Sequence, residues 1–260
     1  MTAERRVVNL EPAFVLHVRP YRDTSAIIEA FTENHGRVGL VGRGVRGQRS
    51  RLRGVLQPFG PLLLSWSGRG ELATLTGAEP QGGALRIGGA RVAAGFYLNE
   101  LLMRLVRRDD PHPALYAAYR EAISALAASG DAEPPLRVFE KRLLEEIGYG
   151  LTLDHDAAGE PIEPEGWYSV HAEGLPVRVE TQEAATHVFR GSSLLALCSE
   201  RSLGPDAAAD AKRLLRMALQ AHLGPRPLKS RELYRQLSGT RERERDGRAP
   251  GNTQTGGSEP

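Results

Sequence analysis

The sequence is short of several things, and each shortage excludes something. One cysteine, Cys198, in 260 residues rules out an internal disulfide framework, a four-cysteine zinc site and a CxxC redox pair, and it suits a reducing compartment. No apolar run approaches the roughly 18 residues that a membrane helix needs, and the opening MTAERRVVNLEPAF lacks the apolar segment of a secretory leader. A cytoplasmic protein is expected. Lysine is nearly missing: Lys141, Lys212 and Lys229 are the only ones among 34 basic residues, and the other 31 are arginine, the side chain suited to bidentate recognition of phosphate or carboxylate. Aromatic residues make up only 6% of the chain, so surfaces for stacking bases are few.

The usual signatures of catalysis are also missing. None of the three lysines follows a glycine, so there is no phosphate-binding GxxxxGK[ST] loop, and neither HExxH nor GxSxG occurs. Gly42-Arg43-Gly44-Val45-Arg46-Gly47 does match GxGxxG. Its context is wrong for a dinucleotide, because QRSRLRG follows where a helix should open and no acid stands about twenty positions on to hold a ribose. Asp154-His155-Asp156 offers metal-ligand types, but three adjacent residues in a Gly-rich loop rarely converge on one ion. Cys198 lies in the apolar SSLLALCSE and reads as a structural thiol. No catalytic constellation emerges, and no metal or cofactor is expected.

What is present divides into two periodicities. Segments 13–19, 25–32, 38–45, 58–66 and 71–79 are short and apolar or alternating, and turn residues separate them; in the first, Phe14, Leu16 and Val18 share one face while His17 and Arg19 share the other. Five closely spaced strands remove their edges by curling into a barrel, and the five-stranded OB-fold is the expected form. A Gly-rich break at 80–89 follows. Beyond it, 91–107, 112–128, 134–147 and 205–223 carry apolar stripes at helical spacing, and a short helix is expected over 229–237.

The expected architecture is therefore an α+β, two-domain chain: an OB-fold barrel over 1–82, a linker over 83–90, and a mainly α-helical domain over 91–238 with an irregular insertion at about 149–180 that holds a small hairpin. Residues 239–260 are polar and alternating in charge, and are expected to be a disordered tail.

The formal charge of +2 conceals an uneven distribution. Residues 1–82 hold 11 arginines against 7 acids, whereas the remainder holds 23 basic residues against 25 acidic. Within the first part, Arg37, Arg43, Arg46, Arg49, Arg51 and Arg53 fall in a stretch, 34–70, that contains no Asp or Glu. Several guanidinium forks on a Gly-rich connection suit successive phosphates, so these six are candidate nucleic-acid contacts; a solvated loop at a barrel rim is the plainer alternative. With Phe31, Phe59 and Trp66 as the nearest aromatics, binding should be dominated by phosphate and poorly sequence-specific.

The segments AFVLHVRPYRDTSAIIEAFTENHGRVGLVGRGVRGQRSRLRGVLQPFGPLLLSW, LRVFEKRLLEEIGYGLTLDHDAAGEP and LGPRPLKSREL, in that order, resemble the RecO family of bacterial DNA repair and recombination mediators over nearly all of residues 10–238. The resemblance implies an OB-fold followed by a helical domain and a non-enzymatic function. That function is to bind single- and double-stranded DNA, to anneal complementary strands and, with RecR, to help recombinase replace single-strand binding protein. RecF is a further candidate partner, and a cytoplasmic, nucleoid-associated location follows.

On this basis Lys229 and Arg231, in LKSR, are secondary DNA contacts. The family also binds the acidic, apolar-ended C-terminal tail of single-strand binding protein. For that role LRVFEKRLL supplies Leu136, Arg137, Phe139, Lys141 and Arg142, with Arg137 or Arg142 as carboxylate partner. Some relatives carry a cysteine zinc site in the insertion; LDHDAAGEP has no cysteine, so other contacts must hold this one. Two further function classes stay open: an adaptor whose helical domain binds a partner's acidic tail while the barrel docks, and an enzyme acting on nucleotides.

Overall fold

A computed structural model describes residues 6–233 except 84, 90, 129–130, 172–173, 183–185, 201–202 and 231. The expected tail, Arg231 and most of the last short helix lie outside the described residues, although 229–230 and 232–233 are helical.

Five strands, β1 (Arg6–Tyr21), β2 (Ser25–Thr32), β3 (Gly36–Gly42), β4 (Pro61–Gly68) and β5 (Leu72–Pro80), close into a barrel in the order β1-β2-β3-β5-β4. All neighbours are antiparallel except β3 and β5, which pair in parallel over only three residues, Gly39–Val41 against Leu72–Thr74. This is the five-stranded OB-type barrel anticipated from the sequence. β1 is long enough to pair with both β2 and β4, because register shifts between Val8 and Glu11 and between Val15 and His17 bend it around the barrel. Inside lie Val15, Ile28, Leu40, Leu64 and Trp66, the inward set of the two-residue alternation.

Between β3 and β4 the chain forms a short helix, α1 (Leu52–Val55), which the sequence reading did not anticipate. Leu52, Val55 and the buried Val45 and Leu56 pack against the barrel core. The GxGxxG match therefore ends a strand and enters turns rather than opening a nucleotide-binding helix.

The helices are α2 (Arg91–Leu105), α3 (Pro113–Ala127), α4 (Glu133–Glu146), α5 (Gly191–Cys198) and α6 (Pro205–Leu223). α2, α3, α4 and α6 fall within two residues of the expected stripes. Between α4 and α5 the insertion is more ordered than a hairpin: β6 (Trp167–Ser169), β7 (Val177–Val179) and β8 (Val188–Arg190) form a sheet with β6 central. β8 lies beyond the anticipated end of the insertion at 180. Asp156, buried, accepts the N–H groups of Ala158 and Glu160 at 2.9 and 3.0 Å and closes the preceding turn. Its neighbours Asp154 and His155 face solvent 3.3 Å apart. The Asp-His-Asp run thus leads into a turn, and among the described residues no group of three or more His, Cys, Asp or Glu is placed to hold a metal.

The barrel and the helices share one apolar core. Phe14, Leu16, Phe31 and Phe59, on the outside of the barrel, cluster with Leu98, Leu102, Tyr116 and Tyr119 of α2 and α3. Phe14 meets the Tyr119 ring edge-on at 5.1 Å. Gly95 of α2 lets Phe59 lie on the helix backbone, where a Cβ would come within 2.7 Å of its ring. Gly36 (φ +64°) does the same for the Asp110 carbonyl, 1.9 Å from a hypothetical Cβ, so no larger residue fits that crossing.

Polar bonds fix the same contact. Asn99 donates to the Leu16 carbonyl at 2.9 Å and accepts from the Tyr119 hydroxyl at 2.6 Å, both within the core. Burial pushes the Tyr119 phenol up. It therefore remains a donor.

Candidate nucleic-acid interface

The six arginines that the sequence groups together separate in space into two kinds. Arg37, on β3, is nearly covered: its Nη1 donates to Glu29 at 3.0 Å and its Nε to the Val106 carbonyl at 3.0 Å. Arg108, just beyond α2, bonds the same Glu29 carboxylate. Burial lowers the Arg37 pKa, with Arg108 adding to the effect against the pull of Glu29. Arg37 thus ties the barrel to the helices through its Nε and Nη1 donors. That position differs from the phosphate contact expected of it.

Arg43, Arg46, Arg49, Arg51 and Arg53 are all exposed. They run from the turns after β3 into α1, which holds Arg53, and those turns are anchored at three points. Val45 inserts into the barrel core, the Arg46 N–H donates to the Thr24 carbonyl at 2.8 Å, and the Arg46 side chain donates to the Arg22 and Asp23 carbonyls. The loop is therefore held against the β1–β2 turn, where Arg22 adds another exposed cation. Among the described residues none of Arg43, Arg46, Arg49, Arg51 and Arg53 forms an ion pair. The forks of Arg43, Arg49, Arg51 and Arg53 face water, where phosphate can reach them, whereas Arg46 directs one terminal nitrogen to the β1–β2 turn.

Lys229 lies elsewhere, on the helical side. The backbone N–H groups of Lys229 and Ser230 donate to Glu100 of α2 at 3.0 and 2.9 Å, and Arg104 donates to the Arg226 and Pro227 carbonyls. Burial alone would raise the Glu100 pKa, but these bonds outweigh it and hold the carboxylate below its ordinary value. The segment is pinned by its backbone and the Lys229 side chain is exposed.

The five candidate partner-binding residues also separate. Phe139 is core, 1% exposed and edge-on to Tyr119. Lys141 and Arg142 turn toward α5: Lys141 pairs with Glu145 and Glu200 at 2.8 and 3.2 Å, while Arg142 pairs with Glu200 and Glu121, both at 2.7 Å. Those three do not share a pocket with the other two.

Leu136 and Arg137 do line a groove, of about 430 Å³, between α2, α4 and α6. Ala93, Ala94 and Leu136 give it an apolar floor, and Arg91, Lys212 and Arg216 join Arg137 around it. Beneath Arg137, the buried Glu140 lies 2.8 Å from its Nη1 and accepts a bond from the Tyr97 hydroxyl. Arg137 Nε is buried without an acceptor among the described residues. The sequence reading missed Arg91, Lys212 and Arg216, which come from helices far away in the chain. Lys212 and Arg216, four residues apart on one edge of α6, were the available signal.

A closed OB-type barrel with an exposed arginine loop, packed on a helical domain with a cation-rimmed groove, defines a two-part, barrel-plus-helices protein. Family models narrow this. "Recombination protein O N terminal" matches residues 8–83 and "Recombination protein O C terminal" matches residues 88–232. Curated relatives named DNA repair protein RecO include that of Alkalilimnicola ehrlichii, 48% identical over 92% of this chain and 95% of the relative. Those of Nitrosococcus oceani (48% identical, 89% and 94% covered) and Dechloromonas aromatica (44%, 90% and 98%) are similar. The chain belongs to the RecO family of bacterial DNA repair and recombination proteins.

Proposed function

We propose that this protein is a non-enzymatic DNA mediator: it binds single- and double-stranded DNA through the arginine loop of its barrel, anneals complementary strands and, with RecR, helps recombinase replace single-strand binding protein. RecF is a further partner on this reading. The observation that carries it is the row of exposed arginines 43, 46, 49, 51 and 53, none in an ion pair among the described residues, in a segment without an acid. Lys229 extends the basic surface on the helical side, and Arg231, outside the described residues, is assigned with it.

Reversing Arg43, Arg49, Arg51 and Arg53 together to Glu should abolish both DNA binding and strand annealing while the melting temperature holds, since none of the four is buried. Unchanged annealing by a folded variant removes the loop from the interface.

The groove between α2, α4 and α6 fits the acidic, apolar-ended tail of single-strand binding protein: an apolar floor beside four cations and a buried Arg137 Nε that lacks an acceptor. Arg137 rather than Arg142 is then the carboxylate partner. Arg137→Ala should lose the tail peptide, whereas Arg142→Ala, which cuts contacts to Glu121 and Glu200, should retain it. Binding that survives Arg137→Ala and fails with Arg142→Ala reverses the assignment.

A further inference from the structure

The groove already contains a carboxylate where a ligand's carboxylate would go. Glu133, in the first turn of α4, places one oxygen 2.9 Å from Lys212 Nζ and the other 3.4 Å from Arg137 Nη2. It thereby bridges cations from α4 and α6, the two walls between which a tail would bind.

The partners differ in freedom. Arg137 is 6% exposed and cannot leave, because Glu140 holds its other terminal nitrogen at 2.8 Å. Glu133 is 36% exposed and Lys212 58%, so both can swing into water without uncovering the core. The 3.4 Å contact to Arg137 is beyond a good charge-assisted hydrogen bond, which lies near 2.8 Å. A side chain that is loosely held, on the surface and of the same charge as the incoming group is readily displaced.

We propose that Glu133 is an internal competitor that sets the specificity of this groove: a ligand binds only by bringing a carboxylate that replaces Glu133 on Arg137. The inference rests on the groove being a peptide-tail site, as proposed above. Its physical content is a difference of affinities. An apolar peptide brings no carboxylate to replace Glu133 on Arg137, and a singly charged one replaces that contact without adding another. A tail with a free terminal carboxylate and adjacent aspartates replaces the displaced contact and adds others on Lys212, Arg216 and Arg91. Glu133 thus favours multiply acidic chain ends and rejects the single carboxylates common on proteins.

The test uses the full chain and a short synthetic peptide in which several aspartates precede a C-terminal phenylalanine, made with a free carboxylate and as the amide. Anisotropy titrations compare the unaltered protein with Glu133→Gln, Glu133→Ala, Asp131→Asn and Arg137→Ala, each checked by thermal melting. Asp131 also lines the groove, but it accepts the Glu133 backbone N–H at 3.0 Å and pairs with no cation among the described residues, so its neutralisation changes the charge without vacating Arg137. Both Glu133 variants should tighten the free-acid peptide about three- to tenfold, the scale of one or two exposed ion pairs. They should also bring a singly charged peptide into measurable range, while Asp131→Asn changes affinity less than twofold.

Equal affinity for Glu133→Gln and the unaltered chain, or an equal gain from Asp131→Asn, overturns the inference. The groove itself is judged separately. If the unaltered protein fails to bind the peptide, or binding survives Arg137→Ala, the tail reading falls and this inference with it; if binding is present and Arg137-dependent but indifferent to Glu133, only this inference falls.

Discussion

Arg37 on β3 donates to Glu29 on β2 at 3.0 Å, and the pair sits where the barrel meets the helices, with Arg108 bonded to the same carboxylate. An arginine that sequence spacing assigns to DNA is thereby part of the frame. Removing the acid leaves two guanidinium groups without their shared counter-charge. Glu29→Gln should cost about 3 kcal/mol of stability by chemical denaturation, the scale of breaking a buried pair from one side. Arg37→Ala should lower the melting temperature as well. A loss of DNA affinity by Arg37→Ala with no change in melting would show that the clamp is incidental.

Counter-ion release gives a quantitative signature of the loop. Binding should weaken with salt, and each of Arg43→Ala, Arg49→Ala, Arg51→Ala and Arg53→Ala should reduce the slope of log affinity against log salt by somewhat under one, because each removes about one phosphate contact. Arg46→Ala should do more, because its side chain also fastens the loop to the Arg22 and Asp23 carbonyls. Slopes that stay constant across the set would assign the phosphate contacts to another surface.

The Asn99–Tyr119 bond lies in the core shared by barrel and helices. Tyr119→Phe keeps the ring and its edge contact with Phe14 but removes the donor to the Asn99 oxygen, leaving a buried acceptor unsatisfied at a cost of about 1–3 kcal/mol. Because that core spans both parts, thermal unfolding should remain a single transition at a lower temperature. Separation into two transitions would mean that the barrel and helices unfold independently.

Glu200 joins the helices through Arg142 and Lys141. The Arg142 bond is the main reason its carboxyl lies below the ordinary range, with Lys141 acting in the same direction and burial opposing. A depressed carboxylate stabilises the fold above its unfolded pKa, about 4.3 for Glu, and loses that contribution as pH falls through the lower folded value. The unaltered protein should therefore lose part of its stability on acidification below about pH 4. Glu200→Gln should lose less over that interval and be less stable near neutrality. Identical acid profiles would remove Glu200 from the account.

The elements most readable from the sequence were those whose periodicity is uninterrupted: four helices within two residues of their stripes, and five strands separated by turn residues. α1 was hidden because four residues carry no period. The small sheet of β6–β8 was hidden because three-residue strands show almost no alternation, and its central strand pairs with segments on both sides in the chain. Of the candidate site, the exposed arginines could be read as a cluster because they lie two or three residues apart along the chain. Their separation from Arg37 could not, since Glu29 is eight residues away and Arg108 seventy-one, and only folding brings those charges together.

By itself the sequence determined the two-part architecture, the polarised charge and the absence of acids over 34–70, because period and composition are local properties of the chain. Tertiary structure decided which cations remain available and which are bonded internally. It turned Lys141 and Arg142 toward Glu200, drew Arg37 onto Glu29, and assembled Arg91, Arg137, Lys212 and Arg216 from three helices around one groove. The physical reason is that a charge is defined by its neighbours in space, and a guanidinium partnered across the fold is no longer free to offer its donors to a phosphate.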